Sequence, residues 1–163
     1  MNRKQKNENV IMELFETLKV NVPNVVHETI DGETILLDLK SGNYFSLDGA
    51  GAVIWEFIDK TGNWGEVINI MTTANQKQKN NISNAIENFV KKLVEEQLLV
   101  KTDVGVKSVE TPDLTKQLVD AAGDFKIPLV NKYSDMQDLL LLDPIHDVDE
   151  KGWPESKDNQ PES

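Results

Sequence analysis

Two tight turns between residues 31 and 43 constrain this chain more than any other feature of its sequence. Asp31-Gly32 is a typical two-residue hairpin turn, because both central positions of such a turn take a positive φ. A second turn, Lys40–Asn43, separates the run 33–39 from the run 44–47. Apolar and polar residues alternate in these runs, with Phe45 and Leu47 expected inward. The pattern predicts a meander of three short antiparallel strands.

Three helices are predicted after the strands, because apolar residues there recur at three- and four-residue intervals. Asp48 is expected to cap the first helix, and Gly62 to end it. Asn63 followed by Glu66 is a capping pair for the second helix. The third helix is predicted over residues 79–97. The fold class is therefore predicted as α+β and winged-helix-like, with a three-stranded antiparallel sheet followed by three helices.

The 163 residues suffice for one modest core with extensions. We expect an N-terminal arm with a short helix over residues 1–21, in which Leu18 continues a helical apolar spacing. The main domain is expected over 22–101 and a linker, with at most one or two helical turns, over 102–126. Residues 127–163 are predicted to be an acidic tail that carries a short amphipathic motif and ends in disorder.

The formal charge of −11 is concentrated in the tail, since residues 109–163 carry 13 acidic and 5 basic side chains. Nucleic-acid binding needs clustered cations, so a winged-helix DNA-binding regulator is the disfavoured rival. The predicted third helix has balanced charges: Lys79, Lys91 and Lys92 against Glu87, Glu95 and Glu96. No apolar run approaches the roughly 18 residues of a membrane span, and cysteine is absent. We expect a cytoplasmic protein with no nucleic-acid or membrane partner.

Catalytic and metal-binding patterns are not recognisable in the sequence. The two histidines, His27 and His146, have no evident catalytic partners, and there is no glycine-rich phosphate loop. Residues 147–158 partly match a calcium loop, but Lys151 stands where the fifth position needs an oxygen ligand. We therefore expect no enzymatic activity, no metal and no cofactor.

Residues 22–100 resemble the PqqD-like family, the small domains also called RiPP recognition elements. The resemblance lies in a series of short motifs: Asp31-Gly32-Glu33, Leu36-Leu37-Asp38-Leu39, Gly42-Asn43-Tyr44-Phe45, Leu47-Asp48, Gly51-Ala52-Val53-Ile54-Trp55, Leu93 and Gln97-Leu98-Leu99. The resemblance implies a non-catalytic chaperone without a cofactor. Such a domain holds the leader of a ribosomally made precursor peptide as a fourth strand, and presents it to a modifying enzyme such as a radical SAM protein, a cyclase or a protease. The resemblance does not identify the peptide product.

Strand addition also follows from the predicted fold, because the exposed edge of a small sheet can pair with an extended peptide. The expected peptide-binding residues lie on the third strand and on one flank of the third helix: Asn43, Tyr44, Phe45, Ser46, Leu47, Asn81, Ala85, Asn88 and Lys92. The alternative is that Tyr44 only covers sheet surface and that the helix flank is an ordinary solvated face.

The tail contains a short amphipathic motif that ends before Pro144. Its candidate partner-docking residues are Tyr133, Met136, Leu139 and Leu140. A helix of this length is marginal alone, so other groups must cover its leucines. Three alternatives are open: the motif docks on an enzyme or sister protein, it folds back into the leader groove, or it completes the core. An adaptor that acts through this motif is the alternative function.

Overall fold

A computed structural model describes residues 17–107 and 109–134 of the chain. Within these ranges the chain forms six strands, four α-helices and a 3-10 turn, so the α+β class is confirmed. The strands are β1 (Thr17–Val20), β2 (Val25–Ile30), β3 (Glu33–Asp38), β4 (Tyr44–Asp48), β5 (Leu99–Thr102) and β6 (Asn131–Tyr133). The helices are α1 (Ala50–Thr61), α2 (Trp64–Ala74), α3 (Lys79–Glu95) and α4 (Pro112–Gly123), with the 3-10 turn at Gln76–Gln78.

The main sheet has four strands in the order β2-β3-β4-β6, and every neighbouring pair is antiparallel. The predicted meander is present as β2, β3 and β4. Asp31 and Gly32 at its first turn have φ values of 53° and 82°, as the hairpin requires. The prediction of three strands was wrong, because β6 extends the sheet along the edge of β4.

A separate two-stranded sheet pairs β1 with β5, from Thr17 opposite Thr102 to Val20 opposite Leu99. Leu18 and Val20 are buried while Lys19 is exposed, which is the two-residue period of a strand. The helical interpretation of Leu18 was therefore wrong, because the main-chain groups of β5 offer its segment a ladder partner. The rest of the predicted N-terminal helix lies outside the described residues.

Local signals at the junction of α1 and α2 are confirmed. Gly62 has a φ of 76°, and its N–H donates to the carbonyl of Ile58 at 2.7 Å. Asn63 Oδ1 accepts from the N–H of Glu66 at 3.1 Å, so the predicted N-cap of α2 is present. The cap predicted for α1 is absent, because Asp48 ends β4 and Gly49 takes the N-cap position without a side-chain bond.

The core lies between the main sheet and the helices. Its largest fully buried side chains are Trp55, Phe45, Leu36, Leu47, Ile54, Ile58, Met71, Ile82, Ile86, Leu93, Leu98 and Leu99. Trp55 Nε1 donates a hydrogen bond to Nδ1 of His27 at 3.3 Å, and the two rings meet edge to face. The indole therefore joins α1 to β2.

Helix α4 lies where the sequence predicted a linker. It is 12 residues long, and it buries Leu114, Leu118 and Ala122, which are spaced four apart. It packs against α1 and α2, and Asn75 Nδ2 donates to the carbonyl of Ala122 at 2.7 Å. The expectation of one or two helical turns was wrong, because one apolar stripe on α4 completes the existing core.

Candidate peptide-binding cleft

One flank of α3 and the segment 127–130 enclose a cleft of about 360 Å³, here called the α3 cleft. The four helix residues predicted from the sequence lie together in its wall. The lining consists of Asn81, Asn84, Ala85, Asn88, Phe89 and Lys92 from α3, and of Ile127, Pro128, Leu129 and Val130. Ala85 is buried, whereas Asn81, Asn88 and Lys92 are exposed. The cleft therefore has a small apolar floor, and amides and a cation lie at its rim.

Strand β6 follows directly on the cleft segment 127–130 and pairs with the edge of β4. Tyr44 lies opposite Tyr133, Phe45 opposite Lys132, and Ser46 opposite Asn131. Asn131 Nδ2 contacts Ser46 Oγ at 3.4 Å. Ser46 alternates with the inward residues Phe45 and Leu47, yet it is buried as well.

The other predicted strand residues contribute in different ways. Phe45 and Leu47 are buried in the core, as predicted, so they offer a neighbouring strand their main chain only. Tyr44 is half-buried. Asn43 belongs to the turn: its carbonyl accepts from the N–H of Asp38 at 2.9 Å, and its own N–H donates to Ser41 Oγ at 3.1 Å.

The segment 127–130 alternates between buried and exposed side chains. Pro128 is buried and Val130 packs against the core, whereas Ile127 and Leu129 are 59% and 60% exposed. Pro128 lies close to Gly51: a Cβ added to Gly51 would be 3.6 Å from Pro128 Cβ, an ordinary contact, and 3.2 Å from Cζ of Phe89, a tight one. The surface at Gly51 and Phe89 beside Pro128 is here called the slot. Asn84, Phe89 and residues 127–130 line the cleft but were not predicted from the sequence.

A group of charged side chains lies at the C-terminal end of α3, next to the cleft residue Lys92. Glu96, which follows α3, accepts from Lys132 Nζ at 3.0 and 3.3 Å and from Lys92 Nζ at 3.2 Å. Partial burial of the carboxyl raises the pKa of Glu96, but hydrogen bonds and Coulomb attraction from Lys132 and Lys92 outweigh it and hold that pKa below its ordinary value. Lys92, predicted to contact a peptide, is thus already paired with Glu96.

Residues 33–99, about two fifths of the chain, match the family model of coenzyme PQQ synthesis protein D (PqqD). The chain contains a PqqD-family domain. Neither the curated proteins nor the solved structures gave a match to the chain. The matched range includes β3, β4 and the helices α1 to α3, and it stops at the first residue of β5.

The strand that covers β4 therefore lies outside the matched PqqD-family range. Of the tail residues predicted to dock a partner, Tyr133 is in β6, while Met136, Leu139 and Leu140 lie outside the described residues. Residues 127–130 line the α3 cleft and residues 131–133 pair with β4, but the three alternatives for the motif stay predictions. The structure does not describe the amphipathic motif that follows.

Residues 17–107 and 109–134 contain no cluster of three or more histidine, cysteine or acidic side chains that is placed to hold a metal. In the same ranges, no helix has the length and apolar character to cross a membrane.

Proposed function

We propose that this protein binds the leader segment of a ribosomally made precursor peptide and presents it to a modifying enzyme. The leader adds as a strand to β4 and lies beside the flank of α3. One observation carries the proposal: β4 already accepts an extended segment in antiparallel register at this place. The edge is therefore of the kind that can take a peptide.

The two walls of the site contribute different kinds of recognition. The main chain of residues 44–46 provides hydrogen bonds that any extended peptide can satisfy, so this contribution to affinity does not depend on the peptide's sequence. The α3 cleft and the neighbouring slot provide sequence selectivity. The slot at Gly51 and Phe89 accepts a compact apolar side chain, and the rim of the cleft offers amides. Glu96 adds a carboxylate that favours a cation at one end of the bound strand.

Membership of the PqqD family supports an accessory role in peptide modification. We propose no chemical step for the domain itself, and no cofactor. The modifying enzyme, such as a radical SAM protein, a cyclase or a protease, would contribute the chemistry, while residues 22–101 hold the substrate. The winged-helix likeness stays a prediction.

Titration with candidate leader peptides, followed by amide NMR, tests the proposal. We expect shifts concentrated at residues 43–47 and along the cleft side of α3. Shifts confined to residues after 134 would contradict it, and would favour the adaptor function instead.

Two matched variants sharpen the titration. Asn88 and Asn80 are both exposed on α3, but only Asn88 lines the cleft. Asn88→Glu should change the Kd of a leader several-fold, because it places a carboxylate at the rim. Asn80→Glu adds the same charge outside the cleft and should leave the Kd unchanged. Equal effects of the two changes would count against the cleft.

A further inference from the structure

We propose that residues 127–133 are an internal occupant of the peptide site, and that an incoming peptide must displace them. The inference rests on the proposed function and adds the chemistry of the ligand. The displacing peptide runs antiparallel to β4, places a compact apolar residue in the slot at Gly51 and Phe89, and carries a cation that reaches Glu96. Each of these features is present in the segment that now fills the site.

The pairing of β6 is short enough to be reversible. It consists of three residue pairs, and Asn131 and Lys132 are exposed while Tyr133 is half-buried. A strand of this length buries little apolar surface of its own, and such segments belong to the least stable part of a fold. The pairing therefore covers β4 without fixing it permanently.

The preceding residues give the segment its fit. Pro128 and Val130 face the protein while Ile127 and Leu129 face solvent, which is the alternation of an extended peptide laid along a surface. Pro128 lies in the slot at Gly51 and Phe89. Side-chain specificity of a bound peptide would use the same alternation, two residues apart.

Glu96 has a second cationic partner, which makes release of residues 127–133 less costly. It is shared between Lys132 of the segment and Lys92 of α3, and its side chain is only 17% exposed. When Lys132 leaves, Lys92 still neutralises the carboxylate, so opening does not abandon a largely buried charge without a partner. An incoming cation can then take the place of Lys132.

Covalent attachment makes the segment a strong competitor. Residues 124–130 connect α4 to β6, so the occupant is held near the site at an effective concentration of about millimolar order. The apparent affinity for a peptide in trans equals its intrinsic affinity multiplied by the fraction of molecules that are open. Emptying the site should therefore raise the apparent affinity for any peptide that fits it.

A synthetic peptide with the sequence of residues 126–134, Lys-Ile-Pro-Leu-Val-Asn-Lys-Tyr-Ser, is the probe. Its binding to the full chain is followed by amide NMR at β4 and α3. The variant Pro128→Asp/Val130→Asp replaces the two inward side chains and should release the segment. Val104→Asp/Val119→Asp adds the same charges at two exposed positions outside the cleft and should leave it seated. We expect the first variant to bind the probe at least about tenfold more tightly than the wild type or the second variant.

A reversible lock provides an independent test. The chain has no cysteine, and Ser46 and Asn131 are cross-strand partners, so Ser46→Cys/Asn131→Cys can form one disulfide that fixes β6. The oxidised protein should bind neither the probe nor a leader, and reduction should restore binding. A leader that binds equally in both redox states would overturn the inference while leaving capture at another edge possible. Failure of every candidate leader to bind even the reduced or released protein would instead contradict the proposed function.

A milder pair of variants applies if Pro128→Asp/Val130→Asp does not fold, as judged by circular dichroism. Lys132→Glu places a like charge beside Glu96 without touching the core, and should raise probe affinity several-fold. Lys126→Glu makes the same change at a lysine that pairs with the exposed Asp124, and should leave the probe affinity unchanged. Equal probe affinity in these two variants and the wild type would overturn the inference.

Discussion

Lys132 in β6 places its Nζ 3.0 Å from Oε1 of Glu96, the residue that follows α3. The contact spans 36 residues of sequence and joins the covering strand to the helix that forms the cleft wall. It is also one cause of the lowered pKa of Glu96. The state of the peptide site can therefore be followed at a single carboxyl group.

Lys132→Gln should raise the pKa of Glu96 toward the ordinary glutamate value, because it removes a hydrogen bond and a positive charge. Lys92 remains, so we expect the rise to be partial. Carboxyl-carbon NMR titration of Glu96 measures it directly. Lys126→Gln is the matched control and should leave the titration unchanged; an equal shift in both variants would contradict the assignment.

The pH dependence of stability has a definite sign. Since the pKa of Glu96 is lowered in the folded protein, its stabilising contribution is present in full above the unfolded-state pKa of this glutamate. It is lost as the pH falls through the lowered folded-state pKa. The free energy of unfolding should therefore fall less on acidification in Lys132→Gln than in the wild type, as measured by denaturant titration over that acidic range.

Replacing Trp55 should be among the most destabilising changes in the described core. The side chain is fully buried and bonded to His27, so Trp55→Ala should cost about 3–5 kcal/mol. His27→Ala removes the acceptor and should cost about 1–3 kcal/mol. Denaturant unfolding of both single variants and the double variant gives the coupling, and strictly additive losses would show that the hydrogen bond contributes nothing.

Leu118→Ala tests whether α4 belongs to the core. Leu118 is fully buried, so the change should lower the free energy of unfolding by about 2–5 kcal/mol. Val119, its neighbour, is 42% exposed, and Val119→Ala should change stability by less than about 1 kcal/mol. Thermal or urea unfolding distinguishes them. Similar small losses would mean that residues 112–123 act as a linker after all.

Gly62→Ala should destabilise more than Gly42→Ala, although both glycines have a positive φ, 76° and 80°. The conformational cost of about 1–2 kcal/mol is common to both positions. Only at Gly62 would the new Cβ also meet other atoms, Thr17 Cγ2 at 2.6 Å and the Leu18 carbonyl oxygen at 3.0 Å. The difference between the two unfolding free energies therefore measures the close approach of β1, and equal losses would argue against it.

One part of the candidate site was predictable from the sequence and another part was not. The flank of α3 followed from helical periodicity, since Asn81, Ala85, Asn88 and Lys92 necessarily share one side of a helix. The slot at Gly51 was not predictable, because a glycine in a helix does not indicate which distant residue approaches it. Pro128 comes to that glycine from 77 positions along the chain, by way of α4 and the segment that follows it.

Local interactions were predictable from the sequence alone. The hairpin at Asp31-Gly32, the cap at Asn63 and the stop at Gly62 each depend on a few neighbouring residues, so composition and spacing were enough to predict them. The sequence likewise set the α+β class, since the order of period-two and helical segments is a property of the chain alone. Tertiary structure decided which segments meet: β1 with β5, α4 with the core, and β6 with β4. A short strand has no stability without a partner, and the partner is chosen by the free edges and apolar surface that the rest of the fold leaves available.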